Sequence, residues 1–462
     1  MPRAPMPHVV VLLPGITGSI LKKDGKDVWA LSGSAIIRGL LSRAGTIREL
    51  TLQADGPDED LGDGVTTPGI MPDVHLIPGF WKIDGYGKVR DTLLRSFDLT
   101  EGENYFEFPY DWRRDNRVAA RKLQRLSRDW LRRWRERSGR QDARLVLVAH
   151  SMGGLVSRYF LEVLEGWRDT KALVTFGTPY RGALGALDSI ANGMRMGPFD
   201  LSGVLRSFTS SYQLLPVYEV YDPGDGTLRR VGETDGIPNV DAARAADALA
   251  FHNEIRTQVE AHRRDDAYRE RGYWIFPVVG IEQPTLQSAH RSNGGVAFSS
   301  TYKGEDLRGD GTVPRVSATP LELSADPRDM YAATHHGALQ NADAVLTHVA
   351  GVFQRLDLDL GAFRAPARRK ARLSLAIRDA YAADEPIAVR VQPDQPDLKI
   401  TARITLAESR RAAARATLTP RPDGWHDAEF PPLKSGVYRI TVGAGAKAEP
   451  AEDIFAVYDA TG

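Results

Sequence analysis

The chain has 462 residues, of which 42% are hydrophobic and 26% are charged, a composition typical of globular proteins. This length allows a large core and two or three domains. Basic and acidic residues balance to a formal net charge of +0, so no nucleic-acid partner is predicted. The chain contains no cysteine, which excludes disulfides, thiolate nucleophiles and zinc sites built on cysteine.

The chain starts with a short apolar run, "HVVVLLPG", which ends at Pro14 and Gly15. The run is too short for a secretory signal or a membrane span, so a cytoplasmic location is expected. Similar runs, "LVLVAHS", "ALVTFGTP" and "YWIFPVVGI", follow at wide intervals with helical segments between them. Continuous apolar strands are typical of a parallel sheet covered on both faces. The sequence therefore predicts an α/β core.

Between residues 183 and 266 the strand signal fades, and mixed helical and loop sequence replaces it. An insertion of this length between two core strands is too long for a simple connection. We predict that it folds as a helical cap over the sheet.

Beyond Pro366 apolar and polar residues alternate, as in "KITARITLAES" and "GVYRITVGAG". Period-two alternation with frequent turns predicts antiparallel strands that have one exposed face. The expected organisation is an α/β domain over 1–365 and an immunoglobulin-like β-sandwich over 366–462. The sandwich is a candidate surface for a protein partner.

A single serine, Ser151, lies between a buried strand and a helical segment in "LVLVAHSMGGLVSRYF". A tight strand-to-helix turn exposes such a hydroxyl and leaves the next N–H facing an oxyanion. The turn needs small residues two positions to either side, and Ala149 and Gly153 meet this need, although glycine is usual at both. Ser151 is the candidate nucleophile. The backbone N–H groups of Met152 and Ile16, which follows the sharp turn after the first strand, are the candidate oxyanion hole.

A serine nucleophile on this fold needs an acid and a histidine later in the chain, in that order. Asp310 in "RGDGTVP" lies between two glycines and is the candidate acid, although Asp-Gly is also a common turn. His335 and His336 are adjacent candidates for the base, and we favour His336 because Gly337 follows it. No metal-ligand spacing is present, so neither a metal nor a cofactor is predicted.

The segment from Arg121 to Arg140 contains nine basic and two acidic residues with leucines and tryptophans at helical spacing. A basic amphipathic helix binds anionic lipid surfaces. The same pattern is typical of an ordinary outer helix whose apolar stripe packs on the sheet. Peripheral membrane contact is therefore one of two interpretations of this segment.

Several motifs together resemble the lecithin:cholesterol acyltransferase and lysosomal phospholipase A2 family of α/β-hydrolases. They are "LLPGITGSIL", "FPYDWRRD", "AHSMGGLVSRYF", "FGTPYRGA", "SSYQLLPVY" and "GDGTVP". The resemblance implies a triad of Ser151, Asp310 and one of the two histidines, an oxyanion donor at Ile16, and a lipid or acyl-ester substrate. It also implies that Trp29 contacts the acyl group. Asp111 in "FPYDWR" is more typical of an internal ion pair than of a catalytic acid.

The resulting hypothesis is a serine esterase, lipase or phospholipase that works through an acyl-enzyme. Two alternatives stay open at this point. One is an acyltransferase that passes the acyl group to an alcohol, and the other is a catalytically idle hydrolase fold used for binding.

Overall fold

A computed structural model describes residues 3–29, 48–72, 75–77, 81–196, 199–323, 329–356, 371–407 and 412–458. Up to residue 356 the chain forms short strands, several of them only two or three residues long. In chain order they are β1 Val9–Leu13, β2 Leu21–Lys23, β3 Lys26–Trp29, β4 Val65–Thr66, β5 His75–Ile77, β6 Trp81–Ile83, β7 Tyr105–Glu107, β8 Leu145–His150, β9 Thr170–Phe176, β10 Arg195–Met196, β11 Phe199–Asp200, β12 Tyr221–Asp222, β13 Trp274–Gly280, β14 Ser288–Ser292, β15 Gly295–Ser299 and β16 Met330–Ala332.

The α-helices of the described chain all lie in the same part. They are α1 Gly87–Ser96, α2 Asn116–Ser138, α3 Met152–Arg158, α4 Leu184–Ala191, α5 Ser202–Ser207, α6 Thr209–Gln213, α7 Ala242–His262, α8 Asp266–Arg271 and α9 Asp343–Arg355. None of these helices has the length and apolar character that crossing a bilayer requires.

Six strands form one parallel sheet in the order β16-β13-β9-β8-β1-β7. Successive side chains of a strand point to opposite faces, and β1 shows this directly. Val9 and Val11 pack in one apolar cluster with residues of α2 and α3, whereas Val10 and Leu12 pack in another with residues of α1 and α9. Both faces of the sheet are therefore covered by helices, which confirms the predicted α/β core.

The apolar stripe of α2 is used by this packing. The Trp130 ring stacks on Phe106 with 4.3 Å between ring centroids, and the indole N–H of Trp134 donates to the carbonyl of Pro7 at 2.8 Å. Membrane contact through the basic face of this helix stays a prediction.

The segment from 183 to 266 contains α4 to α7, the strands β10 to β12 and a long stretch of irregular chain. Leu184, Leu187 and Ile190 of α4 form an apolar cluster with Tyr212, Val231 and Ala245 from later in the segment. That residues 183–266 form a cap over the sheet stays a prediction.

From residue 371 onward the described chain contains strands but no α-helix. These strands are β17 Leu373–Ala376, β18 Ala380–Ala382, β19 Ile387–Pro393, β20 Thr401–Leu406, β21 Ala412–Thr417, β22 Thr419–Pro420, β23 His426–Phe430, β24 Gly436–Gly443 and β25 Ala451–Tyr458. We call residues 371–458 the C-terminal β region.

The C-terminal β region consists of two sheets, β17-β19-β23-β22 and β18-β25-β24-β20-β21. All their pairs are antiparallel except β18 with β25. Leu373 and Val389 from one sheet share an apolar core with Ile404, Ile440 and Phe455 from the other. The β-rich C-terminal part is therefore confirmed, while the boundary near Pro366 lies outside the described residues.

Candidate active site

Ser151 lies at the sharp turn between β8 and α3. It has φ 50° and ψ −124°, a backbone conformation that is unusual and strained for a residue other than glycine. The turn is held from both sides, because the Ser151 N–H donates to the Phe176 carbonyl at 2.8 Å and the Thr178 hydroxyl donates to the Ser151 carbonyl at 3.0 Å. Gly153 must be small here, since a Cβ at that position would lie 2.5 Å from the carbonyl oxygen of Pro14.

The structure brings Asp310 and His336 to Ser151. The Ser151 hydroxyl is 2.9 Å from His336 Nε2, and His336 Nδ1 is 2.7 Å from Asp310 Oδ2. Asp310 is fully buried, and its other carboxylate oxygen accepts N–H bonds from Thr312 and Val313 at 2.9 and 2.6 Å. A carboxylate held in this way fixes the tautomer in which His336 Nε2 can accept the serine proton.

The three side chains meet because of the parallel sheet. Ser151 follows β8 directly, and His336 follows β16 after a short loop. Asp310 lies in the loop beyond the β14-β15 hairpin and packs against Gly280 at the end of β13. The carboxyl ends of parallel strands share one edge of the sheet, which is where such folds place their sites.

The two adjacent histidines face different regions. His335 Nε2 donates to the Leu375 carbonyl at 2.9 Å and lies 3.4 Å from Asp453 Oδ2, both in the C-terminal β region. His336, in contrast, faces Ser151. The structure therefore places only His336 in contact with the candidate nucleophile.

The candidate oxyanion donors lie beside Ser151. A Cβ at Gly15 would be 2.9 Å from the Ser151 Cβ, so the turn that carries Ile16 lies against the serine. Within the described chain, the N–H groups of Ile16 and Met152 make no hydrogen bond outside their own turns. The role of these two groups as an oxyanion hole stays a prediction.

Two neighbouring residues, Tyr86 and His150, were not identified from the sequence. The N–H of Gly15 donates to the Tyr86 hydroxyl at 2.8 Å, and that hydroxyl lies 2.9 Å from His150 Nδ1. His150 Nε2 in turn donates to the His336 carbonyl at 3.1 Å. Complete burial lowers the pKa of His150 to about 3, so the ring is neutral and one nitrogen can accept while the other donates. A histidine that ends an otherwise apolar strand was the only sequence signal for this network.

Trp29 and Asp111 make structural contacts with their own neighbours. The Trp29 indole is 4% exposed, donates to the Thr17 carbonyl at 2.8 Å and packs edge-on against Trp112 with centroids 5.2 Å apart. It is not among the described residues that line the cavity at Ser151, so acyl contact by Trp29 stays a prediction. The Asp111 carboxylate binds the buried Arg113 guanidinium at 2.6 Å.

A cavity of about 440 Å³ opens beside Ser151, Asp310 and His336. Its walls are mainly apolar and include Ala186, Ile190, Leu205, Leu214 and Leu286. A second cavity of about 700 Å³ contains none of the predicted site residues. In the part of the chain that the structure describes, no three His, Asp or Glu side chains are grouped to hold a metal ion.

Comparison with known proteins supports the family resemblance. Residues 82–238 match the family model of lecithin:cholesterol acyltransferase. The human lysosomal phospholipase A and acyltransferase is 32% identical over 156 residues, which cover 32% of this chain and 37% of that protein. The rat protein of the same name is 32% identical over 152 residues, covering 30% of this chain and 35% of its own length. The predicted resemblance is therefore confirmed, and the chain matches little more than a third of the length of these relatives.

Among solved structures, the mature form of lipase BlEst2 from Bacillus licheniformis covers 76% of this chain and 96% of its own. Its TM-score is 0.37 at 12% identity. The matched family segment contains Ser151 and Met152 but ends before Asp310 and His336. Their association with Ser151 is therefore an observation of the structure and not of the sequence match.

Proposed function

Because residues 82–238 match the lecithin:cholesterol acyltransferase family, we propose that this chain is a serine hydrolase that cleaves acyl esters of lipids. The observation that carries the proposal is the hydrogen-bonded series from Ser151 through His336 to Asp310, next to an apolar cavity. A structural serine has no need of a strained backbone and a histidine on its hydroxyl.

In the proposed mechanism, Ser151 Oγ attacks the carbonyl carbon of the ester while His336 Nε2 accepts the hydroxyl proton. Asp310 holds the imidazole by Nδ1 and stabilises the positive charge that develops on it. The N–H groups of Ile16 and Met152 donate to the oxyanion, and loss of one such donor typically costs about 3 kcal/mol of barrier. His336 then gives its proton to the leaving alcohol, and the acyl group stays on Ser151.

The acyl-enzyme is resolved when His336 deprotonates an acceptor that attacks the acyl carbon. The bond from that carbon to Ser151 Oγ then breaks, and His336 returns the proton to the serine oxygen. Water as the acceptor gives hydrolysis, and an alcohol gives acyl transfer. The name of the mammalian relatives includes both a phospholipase and an acyltransferase, which keeps transfer as the second candidate. Product analysis with and without an added long-chain alcohol separates the two outcomes.

A fluorophosphonate probe tests the proposal directly, because only an activated serine reacts with it. We expect the wild-type protein to be labelled and Ser151→Ala to lose all labelling. Ser157→Ala is the matched control, since Ser157 is a buried serine of the same helix whose hydroxyl donates to the Gly153 carbonyl at 2.8 Å. An unlabelled wild-type protein would favour the alternative of an idle binding fold.

A further inference from the structure

One wall of the cavity at Ser151 comes from the C-terminal β region. Leu375, Ala376, Ile377 and Asp379 line the cavity together with the Ser151 and His336 side chains. Leu375 is fully buried, whereas Ala376 and Ile377 are half-buried and present apolar surface to the cavity. Apolar residues from much earlier in the chain, among them Ile190, Leu214 and Leu286, also line the cavity. The space next to the reactive hydroxyl is thus enclosed between two distant parts of the chain.

This wall is attached to the segment that carries Asp310. The buried Gln283 side chain accepts the Leu375 N–H at 3.0 Å and donates to the Leu373 carbonyl at 3.4 Å. The Gln283 N–H donates to the Gly309 carbonyl, directly before Asp310, at 3.0 Å. One residue therefore joins strand β17, through its side chain, to the acid loop, through its backbone.

The C-terminal β region also contacts the chain on both sides of His336. On one side, the preceding His335 binds the Leu375 carbonyl and lies beside the buried Asp453 carboxylate. On the other side, Gly337 accepts the N–H of Asp84 at 2.8 Å. The Asp84 carboxylate forms a two-pronged ion pair with Arg439 of β24, with Nη1 to Oδ2 at 2.5 Å. Hydrogen bonds and an ion pair therefore connect the residues on both sides of His336 to the C-terminal β region.

From this arrangement we propose that residues 375–377 are a specificity-determining wall that receives the acyl chain and limits its length. The proposal deepens the proposed function, on which its catalytic part rests. The physical basis is the apolar surface of Ala376 and Ile377, since each methylene removed from water onto such a surface strengthens binding about fourfold. A bulky side chain at this wall should exclude the far end of a long acyl chain, and a smaller one should make room for it.

Fatty-acid binding tests the wall without relying on catalysis. The full-length Ser151→Ala protein is titrated with short, medium and long saturated fatty acids. We expect Ala376→Trp to weaken the binding of long fatty acids about tenfold, the loss of roughly two methylene contacts, and to leave short ones nearly unchanged. Ile377→Ala should shift the preference toward longer chains. Ala416→Trp is the matched control, because Ala416 is also a half-buried alanine on a C-terminal strand but does not line the cavity.

The same substitutions in the active protein should shift the acyl-length dependence of kcat/KM for a series of p-nitrophenyl esters in the same directions. Ile377→Ala shortens a half-buried side chain and keeps the test valid if Ala376→Trp fails to fold. An unchanged length preference in Ile377→Ala, or a wild-type cavity that binds no fatty acid, would contradict the proposal that residues 375–377 limit the length of the acyl chain. Fatty-acid binding without fluorophosphonate labelling would instead contradict the proposed hydrolase activity and still support the role of residues 375–377 in binding the acyl chain.

Discussion

The central parallel sheet and the C-terminal β region bury their strands differently. All six residues of β8 are buried, whereas β19 alternates buried and exposed residues over Ile387 to Val391. A sheet that is covered on both faces offers only its edges to a ligand, and the reactive groups lie at its carboxyl edge. The C-terminal β region contributes no member of the Ser151, His336 and Asp310 series, yet it borders the same cavity. The parallel sheet supplies the reactive groups, and the C-terminal β region supplies part of the cavity lining and contacts to the loops that carry Asp310 and His336.

The comparison is tested most strongly by the two adjacent histidines, because each faces a different region. His336→Ala should lower kcat about 10⁶-fold, since the hydroxyl of Ser151 loses its base. His335→Ala should lower it less than about tenfold, because it removes a hydrogen bond to the Leu375 carbonyl and no reactive group. Ester hydrolysis under saturating and limiting substrate measures both. Equal losses of activity in the two variants would contradict the assignment of His336 to catalysis and of His335 to contact with the C-terminal β region.

The ion pair between the regions is the next test. Arg439→Gln leaves the Asp84 carboxylate, whose side chain is 1% exposed, without its partner. We expect the free energy of unfolding to fall by about 3 to 5 kcal/mol, as it does when one member of a buried ion pair is removed.

Arg390→Gln provides the matched control for this ion pair. Arg390 pairs with Asp423 and Asp427 on the surface of the same β region, and its side chain is 47% exposed. Its loss should leave the free energy of unfolding nearly unchanged, because exposed ion pairs contribute little to stability. Denaturant unfolding of the full chain measures both variants, and similar losses would show that the attachment to the active-site loop is of minor importance.

Gly177 tests how closely the parallel sheet holds the acid and the base. It has φ +55°, and an added Cβ would lie 2.7 Å from Asp310 Oδ2 and 2.8 Å from His336 Nδ1. Gly177→Ala should therefore push the two groups apart and lower kcat about 10²-fold, the typical cost of displacing a reacting group by about 1 Å.

The control for Gly177 is Gly139→Ala at the end of α2. Gly139 has φ +71°, so it shares the backbone strain, but nothing lies within 4 Å of its added Cβ. We expect a loss of about 1 kcal/mol in stability and nearly unchanged kcat. If both variants lose activity equally, backbone strain and not the displaced contact is the cause.

The last test concerns the pH dependence of stability. His150 has a pKa lowered by burial to about 3, against an unfolded value near 6.5. Below pH 6.5 the unfolded chain binds a proton that the folded chain does not, so stability falls as pH decreases toward 3, by up to about 1.4 kcal/mol per pH unit. His150→Asn should flatten this slope in unfolding experiments at a series of pH values.

His252 serves as the comparison for this slope. Burial lowers its pKa to about 4, so His252→Asn should flatten the slope only between pH 6.5 and about 4. If His150→Asn leaves the pH dependence of stability unchanged, His150 is more accessible to solvent than its burial in the structure indicates.

The α/β core and the β-rich C-terminal part were predictable because each has a local signature. Continuous apolar runs marked β1, β8, β9 and β13, and alternation marked β20 and β24. The short strand β7 and the network of Tyr86 with His150 had no such signature. They depend on partners 64 or more residues away, as the hydrogen bond between Tyr86 and His150 illustrates.

The sequence by itself determined the periodicity of the strands and helices and the turn at Ser151, because backbone preferences and small flanking residues act over a few positions. Only the tertiary structure decided that His336 faces the serine while His335 faces the C-terminal β region. The two histidines are adjacent, so their sequence surroundings are nearly identical. The choice depends on distant partners: Asp310 lies 26 residues from His336, and Leu375 lies 40 residues from His335. Asp453, the other partner of His335, lies still further along the chain. The same long-range packing places residues 375–379 against the cavity, since a wall exists only when both of its sides are folded.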